Sequence, residues 1–272
     1  MIELMLSLPP KEKLKLIAVM LLTDGSAYLT SKYRYPKIKY YGKDKILHEI
    51  FIKLIRSIYC TTPSITFLNG METCFGRKEH LTVYKDLAKL STSYNKSSHE
   101  VTICFLNDSP PFVQAVAIRL AMSAEGSISI SRKKKGTIRA HLAFACANAR
   151  LCKEWAKLFA RSGINMKIQR DSNTDTKLHG LQTVNRKDII AFQKLGGFIQ
   201  NVKIRRGIRF KGFEKNVVLN AFCRFAKMVE SKEIKEYSKL ESHKFWEILN
   251  NLVRGCSPWR AGVGLSSKAK PG

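Results

Sequence analysis

The chain has 272 residues, 44% of them hydrophobic, with 48 Lys+Arg against 21 Asp+Glu and a formal net charge of +27. That length allows one large or two small domains with a real core, and so large a positive excess repels itself unless an anionic partner is present, nucleic acid being the commonest. Seven cysteines with no CxxC or metal-ligand spacing exclude a disulfide scaffold and a zinc site and suit a reducing compartment, cytoplasm or an organelle matrix; no apolar run is long enough to span a membrane, and residues 1–8 lack the basic region of a secretory signal.

Residues 9–23 read as a helix opened by Pro9-Pro10, because proline at a helix start gives up an N–H that would be unpaired there anyway. Ser7 or its neighbours can cap it. Strands are expected at 26–31 and 36–41, the second with Lys37, Lys39 and Tyr41 on one face and Ile38 and Tyr40 on the other. Asp44 caps a helix to residue 59, with Ile46, Leu47, Ile50, Leu54 and Ile58 at helical spacing. Residues 64–68 and 71–75 form a hairpin around Asn69-Gly70, a favoured two-residue turn, and a short helix covers 84–90. Residues 91–108 are polar and serine-rich and read as a linker, in which 101–106 could add a strand.

The order then repeats. A helix covers 110–124, and strands at 127–132 and 137–145 flank the basic turn Lys133-Lys134-Lys135-Gly136. Arg139, His141 and Ala143 share one face of the later strand. Asn148 caps a helix through Arg161, ended by Gly163. Ile164, Met166 and Ile168 alternate with Asn165, Lys167 and Gln169; a polar turn at 171–177 leads to a strand at 179–184, and Asn185 caps a helix holding Ile189, Ile190, Phe192 and Leu195. Amphipathic helices at 214–229 and 231–253 follow, before a small, basic tail at 261–272 expected to be disordered. Residues 1–112 carry 16 basic and 10 acidic residues, residues 113–272 carry 32 and 11.

Two stretches organise this order. Ile17-Ala18-Val19-Met20-Leu21-Leu22-Thr23-Asp24-Gly25 and Ile118-Arg119-Leu120-Ala121-Met122-Ser123-Ala124-Glu125-Gly126 each run into an alternating strand. Asp24 and Glu125 lie 101 positions apart (125 − 24), and Pro9-Pro10 and Pro110-Pro111 keep the same interval. Both units read αββαββα, an internal repeat. Ala117, Ala121 and Ala124 form a small-residue stripe, and Ala18 and Gly25 a sparser one; packing the two would bring Asp24 and Glu125 to the same end. A carboxylate at a helix C-terminus opposes the macrodipole, so two in register argue for a site rather than a surface turn. Their mutual repulsion would be relieved by a divalent cation, and hard oxygen donors favour Mg²⁺.

The paired motifs resemble those of the LAGLIDADG homing endonuclease family in its single-chain, two-repeat form, over residues 9 to about 210. The letters are degenerate: Val19, Arg119 and Leu120 stand where small residues are usual, and Glu125 replaces the commoner aspartate. The resemblance implies an α+β fold with two pseudo-symmetric αββαββα units, at 1–91 and 110–210, whose antiparallel sheets form a saddle. A linker at 92–109 would join them, with a helical extension at 211–260 and a tail at 261–272.

It further implies a monomeric, metal-dependent endonuclease that cuts both strands of duplex DNA, with Mg²⁺ (or Mn²⁺) at Asp24, Glu125 and the adjoining Gly25 and Gly126. Family members commonly carry a lysine beyond the last helix of a unit that contacts the cleavage site. Lys211 fits that place, Lys203 is second, and Lys96 is the counterpart in the first unit. If Ala27, Leu29, Ile128 and Ile130 face the core, Tyr28, Thr30, Ser129 and Ser131 face DNA. Lys37, Lys39, Arg139, His141, Lys167 and Gln169 join them by parity, and Lys133 in its turn; near 179–184 the parity is ambiguous. Arg205, Arg206 and Arg209 form a basic run suited to phosphates. Two other readings share the fold: a maturase acting on intron RNA, and a domesticated factor binding DNA or rRNA without cleavage. Met1, in place of a splice-junction Cys or Ser, suits a free-standing protein or an intron-encoded one of intron homing rather than an intein.

Overall fold

The computed structural model describes all residues except 30–35, 67–70, 75–76, 133–137, 172–173, 208, 232, 235–241 and 257–272. After a short helix α1 (Ile2–Leu6), the first half runs α2 (Pro10–Asp24), β1 (Gly25–Leu29), β2 (Pro36–Gly42), α3 (Lys45–Tyr59), β3 (Ser64–Thr66), β4 (Met71–Cys74) and α4 (Arg77–Ala88). The second runs α5 (Pro111–Glu125), β5 (Gly126–Arg132), β6 (Ile138–Ala145), α6 (Ala149–Arg161), β7 (Lys167–Asp171), β8 (Thr174–Thr183) and α7 (Arg186–Lys194), followed by α8 (Lys215–Glu230) and α9 (Ser242–Cys256). Two four-stranded antiparallel sheets result, ordered β1-β2-β4-β3 and β5-β6-β8-β7.

The centre of the molecule is the pair α2 and α5, packed against each other. Each opens on a proline pair, Pro9 and Pro110 in extended backbone and Pro10 and Pro111 in the first helical turn. Residues 16–22 of α2 are 4% exposed or less, every one of them apolar, and a helix without a polar side is stable only when enclosed. Each such leucine or isoleucine contributes roughly 1.5–3 kcal/mol by leaving water.

Arg119 stands among these residues without blocking the pair. Its Nε donates to the Gly197 carbonyl at 3.1 Å and its Nη2 to Phe198 O at 3.5 Å, fastening α5 to the loop after α7. The glycines after both motif carboxylates are required by space, not by φ. A Cβ on Gly25 would stand 2.8 Å from Leu21 Cα, and one on Gly126 would overlap the Met122 carbonyl oxygen, where helix turns into strand without a loop.

Several expectations need correction. Ser7 does not cap α2; its Oγ donates to Leu4 O at 2.9 Å and closes α1, whose five residues are too few to show a period. Residues 101–106 add no strand: Cys104–Leu106 is a 3₁₀ turn, because Ile103 N and Thr102 Oγ1 both bond to the Glu154 carboxylate instead of to a neighbouring strand. Helix α4 starts at Arg77 rather than 84, and β8 takes up 174–177, where a turn was expected. Helix α9 begins at Ser242, well after 231. Leu29, expected to face the core, is 56% exposed at the end of β1. The Asn69-Gly70 turn, the turn at 133–136 and the tail at 261–272 lie outside the described residues. No described helix is long and apolar enough to cross a membrane.

Candidate active site and nucleic-acid interface

Because α2 and α5 pack side by side and both end at a carboxylate, Asp24 and Glu125 open into one cavity of about 710 Å³. Burial, and next the charge of Glu125, push the Asp24 carboxyl up to about 6; Asp44 adds to this, while Lys96 and Lys215 oppose it. Lys96 Nζ donates to Glu125 Oε1 at 2.5 Å. Lys203, Arg205 and Arg206 line the 710 Å³ cavity. Lys211 is exposed and does not line it.

Lys215, four residues beyond Lys211, occupies the place sought for Lys211. It sits at the first turn of α8, 8% exposed, and lines the cavity with both acids. Its ammonium donates to Ser123 O at 2.8 Å and Gly126 O at 2.6 Å, the carbonyls at the C-terminal end of α5, where a cation offsets the helix dipole. Burial brings its pKa down to about 8 against the pull of Asp44, Asp24 and Glu125. In sequence it looks like one more lysine inside an amphipathic helix. The signal it carried was its place at the helix start directly after Glu214, a polar turn where an apolar helix face has not yet begun.

A second cavity of about 600 Å³ is also lined by Glu125, with Lys96, Asn148 and Trp155 among others. The two cavities are built alike. One joins Asp24 and the α3 N-cap residue Asp44 to the segment that follows the second half, with Lys203 and Lys215. The other joins Glu125 and the α6 N-cap residue Asn148 to the segment that follows the first half, with Lys96. Each half of the chain thus supplies its acid and cap, and receives its lysine from the segment after the other half.

The donor set suits a hard divalent cation. It consists of two carboxylates, of which Asp24 is raised by burial and next by the charge of Glu125, and the thiol of Cys146 lines only the cavity on which Glu125 opens without Asp24. Among the described residues there is no group of three or more His, Cys, Asp or Glu able to hold a metal, so further oxygens would come from water or substrate, as Mg²⁺ commonly allows. Gly126 lines the cavity, but its carbonyl already accepts from Lys215; Gly25 does not line it.

The outer sheet faces carry the remaining candidates. Tyr28 pairs with Lys37, both exposed, and Lys39 pairs with Ser26 while its ammonium bonds Glu72 at 2.8 Å. In the second sheet Ser129 faces His141 and Ser131 faces Arg139. A single row crosses all four strands, Ser127, Ala143, Gln182 and Lys167, so Gln182 shares the outer face that its ambiguous parity concealed. Gln169 follows Lys167, opposite Gly180. Thr30 and Lys133 lie outside the described residues.

The basic run is partly committed. Arg205 donates to Asp44 Oδ1 at 2.8 Å and to the Lys43 carbonyl, and Lys203 N reaches Asp44 Oδ1 at 3.3 Å, tying the loop after α7 to the first half. The Arg209 guanidinium stacks 3.8 Å over the Trp246 ring of α9. Arg206 is exposed.

Residues 112–197 match the family model of a LAGLIDADG-like domain. No curated protein sequence matches the chain. Among solved structures, it is similar to the I-SmaMI LAGLIDADG homing endonuclease bound to cleaved DNA, at 12% identity and TM-score 0.54, over 94% of this chain and 99% of that one. It is similar also to the LAGLIDADG homing endonuclease I-GzeII in complex with its DNA target, at 14% identity and TM-score 0.52, over 94% and 100%. The chain therefore has the fold of the single-chain LAGLIDADG homing endonucleases, with the helices α8 and α9 following its second half.

Proposed function

We propose that the chain is a site-specific, divalent-metal-dependent endonuclease of homing type, acting on double-stranded DNA and encoded within an intron. The observation that carries this reading is the duplicated half-site: an acid at the end of each central helix, each in a cavity with a lysine supplied from beyond the other half. Pure binding does not require two repelling carboxylates at a half-buried position; cleavage of two strands requires two sites.

In this reading the outer sheet faces hold the duplex, with Arg139, Lys167, Gln169 and Gln182 able to meet base edges. Asp24 and Glu125 hold Mg²⁺ or Mn²⁺, which when bound supplies Lewis-acid stabilisation and an activated water for phosphodiester hydrolysis. Lys215, anchored on two carbonyls, keeps a positive charge within reach of Asp24. Lys96 does the same beside Glu125. Both cations face the region where an oxyanion would develop, and being already held they lose little freedom on reaction. The relatives' DNA complexes support a duplex as partner.

The test is incubation of the protein with a pool of randomised duplexes and Mg²⁺, followed by sequencing of cut ends. Recovery of one recurrent site, lost in EDTA, supports the reading. Binding of structured RNA in preference to any duplex, with no cutting, would replace it by the maturase reading.

A further inference from the structure

Asn148 uses its whole side-chain amide. Its Oδ1 accepts from Leu151 N at 3.0 Å, the ordinary cap of α6. Its Nδ2 points the other way and donates to the carbonyls of Lys96 at 3.0 Å and Ser98 at 2.9 Å, in the segment joining the two halves. The next turns of α6 hold the same segment further on. Arg150 Nη1 donates to His99 O at 3.1 Å, and the Glu154 carboxylate accepts from Ile103 N at 2.7 Å. Lys96 emerges from this bracket onto Glu125.

We propose that Asn148 is a positioning residue, which grips the inter-half segment so that the Lys96 ammonium rests on Glu125. Asp44 occupies the matching cap of α3 and grips the other basic segment, but with reversed polarity. A carboxylate can only accept, and Asp44 accepts from Lys203 N and from Arg205. The side chain at each cap therefore matches what the neighbouring segment presents: carbonyls to Asn148, N–H groups to Asp44. The two half-sites are alike in plan and unlike in the bond that sets them, so they are separable by one substitution. The consequence for strand cleavage rests on the endonuclease reading; the placement of Lys96 does not.

Asn148→Asp separates the two duties of the side chain. It keeps an acceptor for Leu151 N, at a helix N-terminus where negative charge is favourable, and loses both donors. Asn148→Ala loses everything and serves as the folding control. Two readouts follow on the full chain. Without DNA, hydrogen exchange of the amides at 96–99 should rise about tenfold in Asn148→Asp while the core amides of α5 stay as in the parent, since a local opening costs less than global unfolding. The Lys96 side-chain ¹⁵N resonance should also lose its dependence on Glu125, as judged against Glu125→Gln. With a duplex recovered from the randomised pool and end-labelled on each strand, cutting of one strand should slow about tenfold, the size of one or two broken hydrogen bonds, while the other keeps its rate. Lys96→Ala should slow the same strand, and the double variant should be no slower than Lys96→Ala alone. Unchanged exchange with an unchanged Lys96 resonance overturns the proposal, and so does equal slowing of both strands. If the parent cuts no duplex, the endonuclease reading fails, while the exchange and resonance measurements still decide the role of Asn148.

Discussion

Lys96 and Glu125, 29 residues apart in sequence, meet with Nζ 2.5 Å from Oε1. The pair is partly open to solvent, Lys96 44% and Glu125 25% exposed, and ion pairs of that kind are worth at most about 1 kcal/mol. Stability therefore does not explain why the linker between the halves is fastened so that this ion pair forms. Placement of a cation beside one of the two central acids does.

Removing either acid should end double-strand cleavage without weakening DNA affinity, because neither carboxylate attracts a polyanion. Asp24→Asn and Glu125→Gln are the variants, and in metal-free buffer the removal of negative charge should hold their affinity at or above that of the parent. The check is a gel-shift titration run beside a cleavage assay on the same duplex. Parent-like cutting by both variants would remove the metal assignment from these residues.

The raised pKa of Asp24 gives a pH dependence with a definite sign. The folded carboxyl holds its proton up to about 6 against an ordinary value of 3.8, so the metal-free protein binds more protons than the unfolded chain in that window. The contribution of this group to stability is fully present below 3.8 and is lost as pH rises through about 6. Asp24→Asn should consequently melt higher than the parent at about pH 7.5, with the difference closing towards about pH 4. Mn²⁺ binding, followed by calorimetry, should release protons near pH 6 and tighten as pH rises through it, because the metal takes only the ionised carboxylate.

Lys215 and Lys211 can be told apart directly. Lys215→Met removes a buried ammonium from Ser123 O and Gly126 O, leaving two carbonyls at the end of α5 without their donor. We expect loss of cleavage of the strand served by Asp24 and a destabilisation of roughly 1–3 kcal/mol, measured by urea unfolding. Lys211→Ala, at an exposed position, should leave both nearly unchanged. The opposite ranking would restore Lys211 to the site.

Salt dependence should divide the basic run. Removing a cation that neutralises one phosphate flattens the slope of log K against log[salt] by about 0.9. Arg206→Ala and Lys211→Ala should each do so by about that amount, with little change in preference for the target duplex. Arg205→Ala should act differently, through release of Asp44 and the loop after α7, and lower cleavage more than it changes the slope. Arg209→Ala should loosen the packing on Trp246 and register first in thermal melting. A loss of target preference from Arg206→Ala would show base reading there.

The sequence by itself determined the plan of the molecule. Two proline-started helices, each ending in an acid and a glycine 101 positions from its counterpart, dictate the central pair, because continuous apolar periodicity leaves a helix nowhere to go but inside. Among the described residues strand alternation indicates which lie on the outer sheet faces; Leu29, at a strand end, and Ile168, in the edge strand β7, are exposed against it, and near Gln182, where Gly180 and a register shift obscure the period, it left the parity open. Tertiary structure decided what no period encodes. Lys215 rather than Lys211 lines the cavity of the two acids because a buried ammonium needs the two carbonyls that the end of α5 offers, groups invisible in a string of letters. Asn148 and Asp44 read locally as ordinary helix caps. Asn148 does accept from Leu151 N, but Asp44 makes no side-chain cap bond on α3; their distant partners lie 50–52 and 159–161 residues away, and only the packing of the halves brings those carbonyls and N–H groups within hydrogen-bond reach.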